Sequence, residues 1–163
     1  MLLLFHIGEN LYAIDTDRVI EIVPMVLLRK IEPAPDHIAG VFNYRGNIVP
    51  VIDLCRLIRG NPCRICYSSR LIMVSYSPEE GKTQEQPQRQ FGLIVERVSE
   101  TLKVAADRIK TAEPISDSPY FGELFVDEKG IIQTVNWEQL IKDADQAALL
   151  GKGNHQANGA GCN

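Results

Sequence analysis

The apolar positions of this chain fall in many short runs divided by polar turns, and few runs keep a helical period. Leu2 to Ile7 and Leu11 to Ile14 are two such runs, and Gly8-Glu9-Asn10 between them has hairpin-turn chemistry, so the chain is predicted to open with a β-hairpin. Behind it, Asp15 or Thr16 can cap a short helix in which Val19, Ile22 and Val23 recur at helical spacing, until Pro24 stops it with Glu21 facing outward. Met25 to Ile31 resumes an extended pattern, and Pro33 and Pro35 stiffen the approach to a turn at Asp36 to Ala39. Gly40 to Tyr44 and Asn47 to Ile52 are rich in β-branched and aromatic residues. Arg45-Gly46 between them suits a tight reversal, since Gly46 takes positive φ without a Cβ clash. Pro50 removes one ladder donor, which places this hairpin at a sheet rim or beside a bulge.

Further on, Leu54 to Ile58 reads as a short helix or turn broken by Gly60-Asn61-Pro62, and Arg70 to Ser75 as a strand. Residues 77–90 carry no large apolar side chain, so they are expected to project as an inserted polar loop. Phe91 to Val95 and Thr101 to Val104 return to strand composition, with Val98 and Leu102 completing an apolar face, and a second β-rich half is expected to begin there. Phe121 to Val126 and Ile131 to Val135 form a further hairpin, after which Asn136 can cap a helix with Gln139 in the reciprocal position. Residues 151–163 are Gly/Asn-rich and expected to be a disordered tail. Many short strands and few helices point to a mainly β fold, and no sequence repeat is visible.

With 163 residues and 45% hydrophobic content, the chain can bury the core of one domain. A net charge of −4 supplies no basic field for nucleic acid or anionic membranes. The apolar start is interrupted by His6, Glu9 and Asn10 before it could span a bilayer, so no direct membrane insertion and a cytoplasmic location are expected.

The run from Gly40 to Leu54, GVFNYRGNIVPVIDL, resembles the signature of the CheW-like adaptor family of bacterial chemosensory arrays. Gly92 to Val98 resembles that family's second recurring segment, and the order of elements is similar from about Leu3 to Ile141. The resemblance implies a single domain over residues 1–145, built as two five-stranded, SH3-like β-barrel halves with a few short helices. It further implies a non-catalytic scaffold, without cofactor or metal, that couples the cytoplasmic tip of a methyl-accepting chemoreceptor to the regulatory domain of a CheA-like histidine kinase at membrane-associated receptor arrays. On this resemblance Val19, Asn43, Arg45, Val95 and Val98 are assigned to receptor binding, and Glu21 and Tyr44 to kinase binding. From the residues alone, Arg45 is a solvated turn residue or a binding group, and Asn43 and Tyr44 stabilise the hairpin or join the same surface. Val19, Val95 and Val98 are core or groove positions, and Glu21 a solvated charge or a contact. Two departures stand out: residues 77–90 are longer than usual, and Asp53-Leu54-Cys55 replaces the usual Asp-Leu-Arg.

Other chemistry finds weaker patterns. Cys63-x-x-Cys66 has the spacing of a redox dithiol or half a zinc knuckle, and with Cys55 it carries the alternative reading of a thiol-dependent or zinc-binding sensor. The reading preferred here is that the thiols are free and unligated, as expected in a reducing compartment. Asp53 is read as the cap of the following turn. His6, His37 and His155 have no nucleophile nearby in sequence, and no phosphate-binding glycine loop occurs.

Overall fold

The computed structural model of the chain describes residues 1–77, 88–103 and 118–143. Ten strands dominate it: β1 (Leu2–Ile7), β2 (Asn10–Asp15), β3 (Val19–Pro24), β4 (Ile38–Tyr44), β5 (Asn47–Asp53), β6 (Arg70–Tyr76), β7 (Arg89–Val95), β8 (Arg97–Leu102), β9 (Phe121–Asp127) and β10 (Gly130–Val135). They form two five-stranded sheets, ordered β8-β1-β2-β10-β9 and β3-β6-β7-β5-β4. Helix α1 (Leu54–Arg59) follows β5, and residues 137–143 begin a second helix, α2.

The hairpins expected at both ends of the chain are present, as is the one around Arg45-Gly46. Its strand β4 lies at the sheet edge. Of β5, only Val51, Ile52 and Asp53 pair with β7, so Pro50 sits where the ladder on that side has not begun. Asp53 caps α1, accepting from the Arg56 N–H at 3.2 Å, and Gly60 ends the helix in the left-handed conformation at φ 80°. Asn136 caps α2 through the Gln139 N–H, but the Gln139 side chain turns to Asp143 instead of completing the reciprocal cap.

Three expectations are corrected. The capping chemistry of Asp15 is real, but it supports only a 3-10 turn over Thr16–Arg18, and Val19–Pro24 is a strand. Its burial alternates: Val19, Glu21 and Val23 are half-buried, and Ile20, Ile22 and Pro24 exposed. The three apolar residues that fit a helical spacing are β-branched, and pairing with β6 fixes them as an edge strand. The halves are also not sequential. β7 completes the second sheet beside β6 and β5, while β8 returns to β1, so the first sheet is assembled from both ends of the chain. Met25 to Ile31 forms no strand, only a bridge of Arg29 to Val41. Val104, residues 78–87 of the polar loop and the 151–163 tail lie outside the described residues.

The two sheets repeat one pattern. In each, three antiparallel pairings and one parallel pairing occur in the same order, with β10 beside β2 matching β5 beside β7. Neither ladder closes into a barrel, yet each sheet curls until its two edges meet through side chains. Arg45, in the β4–β5 turn, reaches Glu21 on the opposite edge strand β3. Lys129, in the β9–β10 turn, likewise reaches Glu100 on the opposite edge strand β8.

One core joins the sheets. Leu3, Phe5 and Ile14 of the first pack with Val51, Leu71, Ile72 and Leu93 of the second and with Trp137 and Ile141 of α2. A smaller cluster of Leu4, Leu11, Ala13, Phe125 and Ile132 fills the other face of the first sheet.

Candidate functional site

The β4–β5 turn is built to raise its arginine. Arg45 and Gly46 both have positive φ, 51° and 88°, the geometry of a two-residue hairpin turn that matches the twist of the flanking strands. Asn43 locks it, its Oδ1 accepting from the Gly46 N–H at 2.9 Å. Asn43 is thus a turn-holding residue whose side chain is also exposed.

Tyr44, buried beneath the turn, donates its hydroxyl proton to Glu21 Oε1. Arg45 Nη2 donates to the other oxygen, Glu21 Oε2, at 3.0 Å, and its guanidinium stands over the Tyr44 ring at 5.2 Å from the centroid. Burial, with the bond to Glu21, holds the Tyr44 hydroxyl above the ordinary tyrosine range. Arg45 remains 67% exposed and Glu21 33% exposed, so the pair is solvent-facing and separable. Ile48, the cross-strand neighbour of Asn43, is exposed beside them.

The structure therefore brings Glu21, Asn43, Tyr44 and Arg45 together at one seam. Val19 lies two residues before Glu21 on β3, half-buried against Val74. Val95 ends β7 fully buried, and Val98 on β8 packs half-buried against the core, opposite Phe5. These two flank the crossing from one sheet to the other, and the Val95 side chain belongs to the core in this arrangement.

Sequence reading missed the residue between them. Glu96 accepts from the Gly8 N–H at 3.0 Å, from the Arg64 N–H at 3.4 Å and from the Arg59 guanidinium. Gly8 belongs to the β1–β2 turn and Arg59 to α1, so one carboxylate clasps the two sheets. Its partial burial works to raise its pKa, but the Gly8 and Arg64 N–H groups and Arg59 outweigh that and hold it below the usual carboxylate range. The adjacency of Glu and Arg in Ile94-Val95-Glu96-Arg97-Val98 is the only local signal, and it does not reveal the partners.

The cysteines also depart from expectation. Cys55 and Cys63 are joined as a disulfide, and Cys66 is exposed and free. The C-x-x-C spacing thus misidentifies the pair that the fold brings together. Ligand atoms of Asp53, Cys55 and Cys63 lie within 4.8 Å of one another, a grouping that could hold a metal only with the sulfurs reduced. The Asp53 oxygens are already engaged by the N–H groups of Arg56 and Cys63. β1–β8 pairing sets Ser99 Oγ 2.9 Å from His6 Nδ1, a contact invisible in sequence. The Arg97 guanidinium, instead of an orienting carboxylate, stands against that ring, and burial followed by Arg97 lowers the His6 pKa. Trp137 is buried with its ring edge-on to Tyr76 and belongs to the core.

Two curled sheets on one core, with a polar turn raised at a side-chain seam, define a small β scaffold. The chain belongs to the CheW-like domain family, whose profile matches residues 1–145. It is 32% identical over 110 residues to the chemotaxis protein CheW of Klebsiella aerogenes, covering 68% of this chain and 60% of that one. It is 28% identical over 112 residues to the chemotaxis protein CheW of Treponema pallidum, covering 68% and 61%. The matched region thus spans about three fifths of the length of each of these relatives. Among solved structures, the scaffolding protein TtCheW of Thermoanaerobacter tengcongensis superposes with a TM-score of 0.70 at 27% identity, over 83% of this chain and 82% of that one. No helix among the described residues is long and apolar enough to cross a membrane.

Proposed function

We propose that the chain is a non-catalytic adaptor that couples the cytoplasmic tip of a chemoreceptor to the regulatory domain of a CheA-like histidine kinase within membrane-associated receptor arrays. Membership of the CheW-like family and the likeness to a scaffolding protein support this reading. The observation that carries it to particular residues is the exposed Arg45, presented by a left-handed turn and held by a separable surface ion pair and the face of the Tyr44 ring. A guanidinium so placed can exchange Glu21 for a partner's carboxylate or carbonyl groups at small cost.

Under this reading Val19, Asn43, Arg45 and Val98 contribute to the receptor face, with Val95 supporting it from the core. Glu21 and Tyr44 contribute to the kinase face. Because Glu21 is bonded to both Tyr44 and Arg45, the two faces share one polar cluster, and occupation of one alters the other. Residues 1–145 would make up this working domain.

Isothermal titration of the purified protein against the regulatory domain of each CheA-like kinase of its own genome, and against receptor-tip fragments, tests the proposal. Saturable binding to a kinase domain and a receptor tip is expected, with Arg45→Glu lowering receptor affinity at least tenfold. Absence of heat with every kinase domain, where a control adaptor binds its own, would reject the adaptor reading.

A further inference from the structure

Cys55 lies in the first turn of α1 and Cys63 in the segment after Gly60, with Cα atoms 4.9 Å apart. Both are buried, and each sulfur faces a hydrogen-bond acceptor. Cys55 Sγ is 3.9 Å from Glu96 Oε1, and Cys63 Sγ is 3.6 Å from the Ile94 carbonyl oxygen. A disulfide has no proton to give either oxygen, whereas two thiols would each find an acceptor in place. Each sulfur therefore has an acceptor beside it once the bond opens and the two sulfurs draw apart. The third cysteine of the segment is exposed, three residues beyond Cys63.

We propose that Cys55 and Cys63 form a reversible redox element, opened through Cys66, that governs how firmly residues 60–69 are held against the clasp between the sheets. Cys63 and Cys66 have the C-x-x-C spacing of a dithiol pair, and Cys66 is the member exposed to solvent, so it serves as the relay to the buried bond. The Cys66 thiolate attacks Cys63 Sγ, forming a Cys63–Cys66 bond and releasing Cys55 as a thiolate, which takes a proton from water and, as a thiol, donates a hydrogen bond to Glu96. An external dithiol then attacks Cys66. Two electrons and two protons pass from that dithiol to the protein, which ends with Cys63 and Cys66 as thiols, while the reductant leaves as its own disulfide. Hydrogen bonds from the Ser68 and then the Ser69 hydroxyl lower the Cys66 pKa to about 7, so a large share is thiolate near neutral pH.

The consequence reaches the clasp between the sheets because the same segment carries Arg64, whose N–H holds Glu96. Opening the bond frees the chain between positions 55 and 63, and the loop-entropy effect of so short a closure corresponds to a fall in Tm of roughly 5 to 10 °C. This inference does not depend on the identity of any partner.

The test uses the full chain under native conditions, with dithiothreitol as the reductant and thiol labelling read by intact mass and peptide mapping. Cys66 should label before and after reduction, and Cys55 and Cys63 only after it. Removing the reductant in the presence of glutathione disulfide should restore the Cys55–Cys63 bond. Cys66→Ser, a change at an exposed position, should slow native reduction at least tenfold yet leave reduction in denaturant unchanged. Full labelling of the protein under every oxidising condition would overturn the proposal, as would equal native reduction rates in wild type and Cys66→Ser. Stoichiometric zinc uptake by the reduced protein at Cys55 and Cys63 would also overturn it, making the sulfurs metal ligands.

Discussion

Glu21 and Arg45 lie on opposite edges of one five-stranded sheet and nevertheless meet at 3.0 Å. The sheet's twist brings its edges together, and a side-chain pair seals a seam that no backbone ladder closes. As the pair is exposed, Arg45→Ala should cost no more than about 1 kcal/mol of folding stability, whereas Glu21→Ala, which also takes the acceptor from the buried Tyr44 hydroxyl, should cost about 1 to 2 kcal/mol. Denaturant unfolding checks this. The charge-swapped double variant Glu21→Arg/Arg45→Glu should regain part of the stability lost in the two single charge reversals, the Tyr44 bond staying lost, but not partner binding. Recovery of binding would mean the cluster acts only as a structural latch.

Tyr44→Phe keeps the ring under Arg45 and removes only the hydroxyl that Glu21 accepts. A loss of about 1 to 2 kcal/mol is expected for this charge-assisted bond. The folded hydroxyl titrates above its ordinary value, so the folded state favours the neutral phenol. That contribution is complete below about pH 10 and is lost as pH rises through the folded pKa. Stability measured along an alkaline series should therefore fall in wild type and less steeply in Tyr44→Phe; parallel slopes would refute the assignment.

Glu96→Gln should be the costliest of the polar substitutions, about 1 to 3 kcal/mol, because it weakens contacts to Gly8, Arg59 and Arg64 at once. The folded carboxylate titrates below its ordinary value. Its contribution is present above the unfolded pKa of about 4.3 and is lost as pH falls through the folded pKa. An acid series followed by circular dichroism should lose this step in Glu96→Gln.

Gly40→Ala is expected to damage the Arg45 hairpin from a distance. At φ 153° a Cβ on residue 40 would sit 2.6 Å from the Arg29 carbonyl oxygen, which is held by the Val41 N–H at 2.9 Å. Backbone strain and overpacking together predict a loss of about 2 to 3 kcal/mol. Faster amide exchange at Val41 should accompany it; an unchanged melting curve would contradict the clash.

Much of the fold was legible because its signals are local. Gly8-Glu9, Arg45-Gly46 and Gly130 announce turns, and Asp53 and Asn136 announce caps, since a few adjacent residues supply both the conformation and the hydrogen bond. β3 was misread for the same reason. Asp15 does cap one turn, and the apolar residues after it fit either period. Only Met73 and its neighbours on β6, some fifty positions later, decide for a strand.

By itself, the sequence determined the strand-rich class, the presented arginine and the family, through the unbroken run from Gly40 to Leu54. Tertiary structure alone decided which residues become neighbours. It returned β8 to β1, set β5 parallel to β7, joined Cys55 to Cys63 instead of Cys66, and placed Glu21 and Arg45 together. The physical reason is that turn and cap energies act within a few residues, whereas sheet pairing and curl depend on burying apolar faces against segments remote in the chain.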